Sequence, residues 1–240
     1  MDKEFLEKYS LFQNKQLLQF ELVLPQGFCN LNYKLTTSDG IYLVRKLQQN
    51  SLDRKLEFKT AYLAYKKKIA KKPLLLDKKN SLMICEFANG IHKSSFSFQD
   101  IKNLAKTLQK LHAIKLYKRP INLKKTLHSY KNVSFKTKIL FKNLQNFSSD
   151  LVLCHQDLNP KNILFDKKSI FIIDFEYANI NDRYFDLAAL CVEFSLNQKE
   201  EKIFLNTYFS SKQTFDRKKL KLYKKIYKAL CNLWFKQLTL

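Results

Sequence analysis

The stretch His155-Gln156-Asp157-Leu158-Asn159-Pro160-Lys161-Asn162-Ile163-Leu164-Phe165 decides how this chain of 240 residues is interpreted. A second stretch, Ile172-Ile173-Asp174-Phe175-Glu176, places Asp174 twelve residues after Asn162. In both stretches polar side chains stand between short apolar runs, so we expect strands to hold these side chains rigidly. The spacing is that of a phosphoryl-transfer site, which has a His-x-Asp-x4-Asn loop followed by an Asp-Phe pair.

Each part of this pattern meets a chemical requirement. A base must orient and deprotonate the acceptor hydroxyl, and two oxygen ligands must hold Mg²⁺ on the phosphates, because Mg²⁺ prefers hard oxygen ligands. Taken alone, a carboxylate after a buried strand is more often a cap or a turn than a catalyst. The His, the Asn and the two Asp residues together at this spacing favour catalysis over a purely structural explanation.

The charge of the chain is its most conspicuous feature in composition. It has 44 Lys and Arg against 21 Asp and Glu, which gives a formal net charge of +23. Such a charge is typical of proteins that bind nucleic acid or an anionic membrane. Only five of the cations are Arg, the residue best suited to bidentate recognition of phosphates and bases, and the other 39 are Lys. We therefore favour a generally solvated lysine surface and predict no nucleic-acid partner.

The cysteines and the apolar segments indicate a reduced cytoplasmic protein with no integral membrane segment. The five cysteines are spaced too widely for a zinc or redox pair. No apolar run approaches the roughly 18 residues of a membrane span, and the N-terminus is charged from Asp2 onward. We expect buried thiols, a cytoplasmic location and a monomer or homodimer.

Hydrophobic periodicity predicts a sheet-rich first part and a mainly helical second part, which together make an α+β fold. Ser38-Asp39-Gly40 is a hairpin turn signal, and Ser97 is a candidate N-cap for the first helix of the second part. We divide the chain into residues 1–88 and 89–240. The predicted strands are residues 17–24, 31–37, 41–47, 73–76, 82–87, 151–154, 163–165 and 170–173, and the predicted helices are residues 52–68, 98–115, 135–147, 185–196, 200–209 and 215–238.

In these segments the chain resembles the choline/ethanolamine kinase branch of the aminoglycoside-phosphotransferase-like superfamily, and most of all its short bacterial choline kinases. The similarity rests on residues 155–165, on the Leu-x-x-Leu-His pattern of residues 108–112, and on the run Ile173-Asp174-Phe175-Glu176-Tyr177-Ala178-Asn179-Ile180-Asn181-Asp182-Arg183-Tyr184-Phe185-Asp186-Leu187-Ala188. The resemblance implies a protein-kinase-like two-lobe fold, with a small antiparallel-sheet N-lobe that binds the nucleotide and a larger, mainly helical C-lobe for catalysis and acceptor binding. It also implies ATP and Mg²⁺ as cofactors and a small cationic alcohol, choline or ethanolamine, as substrate.

The resemblance further implies roles for individual residues. Asp157 would be the catalytic base, and Asn162 and Asp174 would hold Mg²⁺. His155 and Asp186 would support the loop around the base. In the N-lobe the nucleotide would be bound by the strand cation Arg45 with its helix partner Glu57, by a phosphate-covering loop with Gly27 and Asn30, and by the hinge residues Glu86, Phe87 and Ala88.

The acceptor site is predicted from the chemistry of its substrate, because a quaternary ammonium group is best held by aromatic faces together with carboxylates. The family carries paired tryptophans in its C-terminal helix, and here Trp234 occupies one of these positions and Cys231 the other. This departure leaves both choline and ethanolamine open as acceptors. The candidate contacts are Glu176, Tyr177, Tyr184, Glu193 and Trp234, with Phe185 and Asp182 in addition.

Two other functions remain open at this stage. One is a kinase of the same fold whose acceptor is an aminoglycoside, thiamine or another cationic alcohol. The other is a basic module that binds nucleic acid or an anionic membrane. Residues 172–197 favour a kinase, because they contain five acidic residues, one Arg and no Lys. A cationic acceptor needs such a locally acidic region in a chain of net charge +23, whereas a nucleic-acid binder does not.

Overall fold

A computed structural model describes residues 2–24, 30–48, 52–166, 169–210 and 215–238. The chain forms two compact units, Met1–Gly90 and Ile91–Leu240. The first contains a five-stranded sheet, and the second is mainly helical, with two small two-stranded sheets.

The first unit is an antiparallel sheet with strand order β1-β2-β3-β5-β4. A short N-terminal helix α1 precedes the sheet, and helix α2 connects β3 to β4 and packs against β4. The elements are α1 (Lys3–Glu7), β1 (Leu17–Leu22), β2 (Asn30–Thr37), β3 (Gly40–Leu47), α2 (Arg54–Lys66), β4 (Pro73–Asp77) and β5 (Leu82–Glu86).

The β2–β3 hairpin sets the register of this sheet. Thr37 pairs with Gly40 across a two-residue turn, as the Ser-Asp-Gly signal predicts. Because side chains alternate between the two faces of a strand, this register places Leu35 opposite Tyr42 and turns both into the core. The cluster formed there is Leu6, Phe12, Leu35, Tyr42, Val44, Leu82 and Ile84.

Helix α2 buries a mainly polar face. Its start is explained by Asp53, whose side chain accepts a hydrogen bond from the Leu56 N–H. Its four buried residues recur at helical spacing, and all of them except Ala64 are polar. They are Arg54, Glu57, Thr60 and Ala64. An apolar stripe could not reveal this face, because its burial depends on ion pairs supplied by another element.

The second unit combines helices with two short antiparallel pairs, β6 with β9 and β7 with β8. Helix α3 begins with a capping box, in which Ser97 and Asp100 exchange side-chain to backbone hydrogen bonds, and it packs against α7. The elements are α3 (Phe98–His112), α4 (Leu123–His128), α5 (Phe135–Lys142), β6 (Leu151–Cys154), β7 (Ile163–Phe165), β8 (Ile170–Ile172), β9 (Asn179–Asp182), α6 (Arg183–Glu193), α7 (Gln198–Phe209) and α8 (Arg217–Leu238).

Strand β9 is an element that the sequence pattern did not predict. Its sequence, Asn179-Ile180-Asn181-Asp182, has a single apolar residue, yet it pairs with all of β6. Asn181 and Asp182 are buried, and their side chains form hydrogen bonds with Gln156 and with neighbouring backbone N–H groups. The strand therefore exists through its pairing and its polar contacts, which hydrophobic periodicity does not detect.

Helix α8 packs against α6 with an aromatic and aliphatic stripe. Tyr223, Ile226, Tyr227 and Leu230 of this stripe are buried, and Trp234 is half-buried. The opposite face carries exposed cations at helical spacing, so the helix is amphipathic. In the described part of the chain, no helix has both the length and the apolar character needed to cross a membrane.

The cysteines of the described residues are all free thiols. Cys154 and Cys191 are buried, and Cys85 and Cys231 are half-buried. Burial raises the pKa of the Cys85 and Cys191 thiols to about 12, so both stay protonated at neutral pH. Cys29 lies outside the described residues.

A carboxylate at the end of β4 fastens the N-terminal segment to the sheet. Asp77 accepts hydrogen bonds from the Tyr9 hydroxyl at 2.7 Å and from the Asn80 side-chain amide at 2.7 Å. The Asn80 and Tyr9 hydrogen bonds favour the ionised form, and they lower the pKa of Asp77 from 3.8 to about 2. Burial, followed by the bond to Asp77, raises the pKa of Tyr9 to about 12.

The lowered pKa of Asp77 predicts a pH-dependent contribution to stability. Because the folded-state pKa lies below the unfolded value of 3.8, the contribution is present above pH 4 and is lost as the pH falls toward 2. We expect Asp77→Asn to lower the free energy of unfolding at pH 7, and the difference from wild type to shrink between pH 4 and pH 2. Urea unfolding at a series of pH values measures this difference. A difference that stays constant over that range would contradict the assignment.

Candidate active site

One buried carboxylate accepts backbone hydrogen bonds from the start of the loop between β6 and β7, residues 155–162. Asp186 of helix α6 is fully buried, and its two oxygens accept hydrogen bonds from the His155 N–H at 2.7 Å and the Gln156 N–H at 2.9 Å. Gln156 has a φ of 71°, in the left-handed region that a non-glycine residue adopts only when its surroundings impose it. These contacts fix the backbone immediately before Asp157.

His155 joins this loop to the segment that carries Asp174. Its ring is buried, and its Nδ1 accepts a hydrogen bond from the Asp157 N–H at 3.3 Å. Its Nε2 lies 3.0 Å from the carbonyl oxygen of Ile173, so the partners assign the ring proton to Nε2. Both ring nitrogens are thus used in holding backbone, and the contacts of His155 are those of a supporting residue.

Asp157 is oriented by two amide side chains of its own loop. The Asn162 Nδ2 donates to Asp157 Oδ2 at 2.7 Å and also to the Asp157 carbonyl oxygen at 2.8 Å. The Asn159 Nδ2 donates to Asp157 Oδ1 at 3.0 Å. Both carboxylate oxygens therefore have a fixed donor, which restricts the direction in which Asp157 accepts a further proton.

The surroundings of Asp157 have opposing effects on the pKa of its carboxyl group. Burial raises the pKa of its carboxyl group, and the nearby charge of Asp174 raises it as well. His155 and the hydrogen bonds from Asn159 and Asn162 lower the same pKa, but the net shift is upward. Two carboxylates, Asp157 and Asp174, thus lie in one small region, which is a setting that attracts a cation.

The donor set around Asp157 fits a hard divalent cation. Because the Asn162 Nδ2 is directed at Asp157, its Oδ1 is the amide atom that can face a metal ion. Asp174 is half-buried and follows β8 with a φ of 64°, a second left-handed residue in the same site. An amide oxygen and a carboxylate are the kinds of ligand that Mg²⁺ uses together with phosphate oxygens.

A second group of residues lies within electrostatic reach of Asp157 and includes two tyrosines that the sequence did not indicate. Glu193 of α6 accepts a hydrogen bond from the Tyr227 hydroxyl at 3.0 Å. Burial raises the pKa of Cys231, one turn further along α8, a hydrogen bond from Tyr227 lowers it, and the charges of Glu193 and Asp157 raise it. Burial and Cys231 also raise the pKa of Tyr130. These mutual influences place Glu193, Tyr227, Cys231 and Tyr130 near one another, with Glu193 and Asp157 both within electrostatic reach of Cys231.

The sequence contained only an indirect signal for Tyr227 and Tyr130. Tyr227 belongs to the buried stripe of α8, which periodicity assigns to the core, and only its spacing of four residues from Cys231 places it on the same face. Tyr130 follows the short helix α4, which was not predicted. Their participation depends on tertiary packing.

Tyr184 and Asp182 are placed differently from the prediction. The Tyr184 ring is buried against Tyr223, with the Lys219 ammonium 4.5 Å from its centroid, and its hydroxyl accepts the Asp216 N–H. Asp182 caps α6 and forms a buried ion pair of 2.6 Å with Lys219. Both side chains are committed within the core, so we revise the prediction that they contact an acceptor. Phe185 is likewise buried, with its ring edge-to-face against Tyr227.

The remaining predicted acceptor contacts are half-buried. Glu176 and Tyr177 follow Asp174 in the chain, and the Tyr177 carbonyl accepts a hydrogen bond from the Gln156 side chain at 2.8 Å. Trp234 packs edge-to-face on its neighbour Phe235. The hydrogen bond ties the Glu176–Tyr177 segment to the loop of Asp157, whereas the ring contact of Trp234 is local to α8.

In the first unit, the predicted nucleotide residues Arg45 and Glu57 form a buried ion pair that includes a second arginine. Arg45 lies 2.5 Å from Glu57 Oε1, and Arg54 lies 2.7 Å from Glu57 Oε2. Arg54 also donates to the side chain of Asn30 at 3.0 Å. The side chain of Asn30 is thereby directed into this cluster. Gly27 lies outside the described residues.

Two backbone N–H groups of the predicted hinge already donate hydrogen bonds within the first unit. The Glu86 N–H donates to the Lys72 carbonyl oxygen at 2.9 Å, and the Phe87 N–H donates to the Ile41 carbonyl oxygen at 3.0 Å. These two amides are therefore used within the unit. Glu86, Phe87 and Ala88 stay a predicted nucleotide hinge, to which these two N–H groups do not contribute.

Comparison with known proteins gives one consistent result. The pattern of the phosphotransferase enzyme family matches residues 22–223. A LicA homologue of Mycoplasma capricolum is 25% identical over 229 residues, which cover 91% of this chain and 90% of that protein. The LicA protein of Haemophilus influenzae is 24% identical over 155 residues, and that match spans 61% of this chain and only 44% of the Haemophilus protein.

Solved structures agree with the sequence matches. The choline kinase LicA of Streptococcus pneumoniae superposes with a TM-score of 0.82 and 26% identity, over 98% of this chain and 89% of that one. A LicA structure in complex with AMP superposes with a TM-score of 0.79 and 26% identity. The prediction of a kinase-like α+β fold and the resemblance to choline kinases are confirmed.

The buried cluster of Arg45, Glu57 and Arg54 predicts a large stability cost when its carboxylate is removed. Glu57→Gln leaves two guanidinium groups buried without their anion, and we expect the free energy of unfolding to fall by about 3 kcal/mol. Chemical denaturation measures this loss. Asp39→Asn is the matched control, because Asp39 pairs with Lys15 at the surface of the same unit, where solvent screens the pair and its loss should cost far less. Equal losses in the two variants would contradict the assigned importance of the buried cluster.

Proposed function

This chain belongs to the phosphotransferase enzyme family, and we propose that it transfers the terminal phosphoryl group of ATP to the hydroxyl group of choline. The observation that carries the proposal is the arrangement of Asp157 and Asn162 on a loop fixed by a buried carboxylate, with Asp174 close enough to act on Asp157 electrostatically. The likeness to the pneumococcal choline kinase over 98% of the chain supports choline as the acceptor.

Asp157 is the proposed catalytic base. Its carboxylate would accept the proton of the acceptor hydroxyl while the hydroxyl oxygen attacks the phosphorus atom and ADP leaves. The upward shift of its pKa, caused first by burial, brings its proton affinity closer to the range useful near neutral pH. The donors Asn159 and Asn162 hold the carboxylate in one orientation, so that positioning supplies part of the rate.

Asn162 and Asp174 are the proposed ligands of Mg²⁺, and the bound ion would neutralise charge on the phosphate oxygens. In the first unit, Arg45 is the proposed contact of the ATP phosphates. Glu57 would hold its guanidinium in place, as the buried ion pair already does. The AMP complex of LicA supports the use of an adenine nucleotide in this family.

Glu193 is the proposed contact of the cationic end of the acceptor. Its carboxylate is fixed by Tyr227, and tyrosine faces beside a carboxylate are suited to a quaternary ammonium group. Glu176, Tyr177 and Trp234 remain proposed acceptor contacts. The acidic character of residues 172–197 gives a cation a favourable local field in a chain of net charge +23.

A second candidate acceptor is ethanolamine, and the placement of Cys231 favours it. Cys231 lies beside Glu193 and Tyr227 at the position where the resemblance predicts an aromatic ring. A smaller side chain there leaves less aromatic surface for three methyl groups, whereas a primary ammonium can donate hydrogen bonds to Glu193. Comparison of the two acceptors decides between them.

The proposed base predicts the effect of Asp157→Ala. We expect turnover to fall by roughly 10²- to 10⁴-fold, because general base catalysis is lost. ATP binding, measured by calorimetry, should stay close to that of wild type. The assay is ADP release with choline, ethanolamine, thiamine and an aminoglycoside in turn, and wild type should prefer choline or ethanolamine. Asp166→Ala, which removes an exposed carboxylate after β7, is the control. Undiminished turnover by Asp157→Ala would remove Asp157 from this role.

The proposed acceptor contact predicts a selective change in KM. Glu193→Gln keeps a hydrogen-bond acceptor for Tyr227 but removes the charge, so we expect KM for choline to rise roughly tenfold, the size of one lost charge contact. KM for ATP should change little. Glu201→Gln is the matched control, since Glu201 pairs with Lys224 at the α7–α8 surface. Equal changes in the two variants, or a change in KM for ATP alone, would place the acceptor elsewhere.

A further inference from the structure

Asp186 has a third partner besides the two loop amides. The Nε2 of His112, on helix α3, lies 3.2 Å from Asp186 Oδ2, and both side chains are buried. A carboxylate accepts only, so His112 must donate from Nε2. The ring of His112 therefore helps to determine where the carboxylate under the catalytic loop sits.

Tyr208, on helix α7, completes the hydrogen bonding of this histidine. Its hydroxyl lies 2.6 Å from the Nδ1 of His112, and its ring stands edge-to-face against the imidazole. Since Nε2 carries the proton, Nδ1 is an acceptor, and the Tyr208 hydroxyl donates to it. This bond fixes the tautomer that His112 needs in order to donate to Asp186.

The hydroxyl of Tyr208 also accepts a hydrogen bond from an arginine. Arg183 donates to the Tyr208 oxygen at 3.3 Å and to the carboxylate of Asp150 at 2.8 Å. The direction of donation is the same at every step, from Arg183 to Tyr208, from Tyr208 to His112 and from His112 to Asp186. Such a chain polarises each of its members in the same sense, and a break at one link weakens the next.

We propose that Tyr208 is a positioning residue for phosphoryl transfer, acting through His112 and Asp186 on the loop that carries Asp157. This inference rests on the proposed function for its kinetic consequence, but not for its structural one. Loss of the hydroxyl leaves the buried Nδ1 of His112 without its donor. The imidazole can then adopt the other tautomer, whose unprotonated Nε2 repels Asp186. This repulsion weakens the hydrogen bonds that Asp186 accepts from the backbone of the loop.

The same neighbourhood also offers an alternative that its hydrogen bonds disfavour. Cys154 lies close enough that one ligand atom each from His112, Cys154 and Asp186 falls within 4.8 Å of the others, which resembles a metal site. The Nδ1 of His112 faces Tyr208, however, and both oxygens of Asp186 accept backbone amides. The ligand atoms are thus engaged by hydrogen bonds, and the chain through Tyr208 accounts for them.

The variant Tyr208→Phe tests the inference, because it keeps the ring and removes only the hydroxyl. We expect kcat to fall roughly tenfold, the size usual for the loss of an outer partner of an active-site group, with KM for ATP nearly unchanged. In protein labelled with ¹⁵N at its four histidines, the Nδ1 signal of His112 should lose its hydrogen-bonded position or the tautomer should change. Amide hydrogen exchange at His155 and Gln156 should become faster.

Two further variants separate positioning from stability. Leu205→Ala removes a buried side chain one turn earlier on α7 and should destabilise the protein more than Tyr208→Phe does, yet leave kcat unchanged where the protein is folded. His112→Gln should lower kcat by itself, and the addition of Tyr208→Phe should then cost little more if Tyr208 acts through His112. Additive losses in the double variant would overturn the inference.

The readouts also distinguish this inference from the proposed function. If wild type does not phosphorylate choline or ethanolamine, the proposed function fails, while the histidine spectrum and the exchange rates still decide the role of Tyr208. Unchanged exchange at His155 and Gln156 in Tyr208→Phe would overturn the inference, whatever the acceptor. A fall in kcat equal to that of Leu205→Ala would overturn it as well.

Discussion

A buried carboxylate that accepts three hydrogen bonds is the constraint on which the second unit depends. Asp186 is removed from water, and a charge so placed is tolerable only when hydrogen bonds replace its hydration. Its partners are the backbone of His155 and Gln156 and the side chain of His112. Helix α6, the loop of Asp157 and helix α3 are therefore coupled, and the position of Asp157 depends on buried residues outside its own loop.

The sequence was sufficient where local patterns carry the structure. The hairpin at Ser38-Asp39-Gly40, the N-cap at Ser97 and the apolar runs on both sides of Asp157 were predicted with nearly correct ends. It was insufficient where a tertiary partner decides. Strand β9 is polar and forms because β6 pairs with it, and the buried face of α2 is charged because Glu57 meets two arginines. The sequence pattern could not distinguish Tyr227 from an ordinary core residue, because its hydroxyl donates a hydrogen bond to Glu193 on another helix.

The two kinds of basic residue have different uses in this chain, which changes the meaning of its charge of +23. Arg45 and Arg54 are buried around one carboxylate, and Arg183 connects Asp150 to Tyr208. The planar fork of arginine suits such pairs, whereas most lysines lie at the surface. Lys219, buried against Asp182, is a described exception. Three of the five arginines therefore mark structurally fixed positions, and the many lysines mainly set the net charge.

The contact between Glu193 and Tyr227 joins two helices, α6 and α8, that the ribosome synthesises at different times. Helix α8 follows the catalytic loop and α6 in the chain, so the ribosome delivers Tyr227 and Cys231 only after residues 155–193 have been synthesised. Until α8 docks, its partner surface on α6, which includes Phe185 and the carboxylate of Glu193, is open to water. A nascent chain at that stage exposes an apolar surface with a carboxylate at its edge, which is a feature that chaperones recognise through its hydrophobic part.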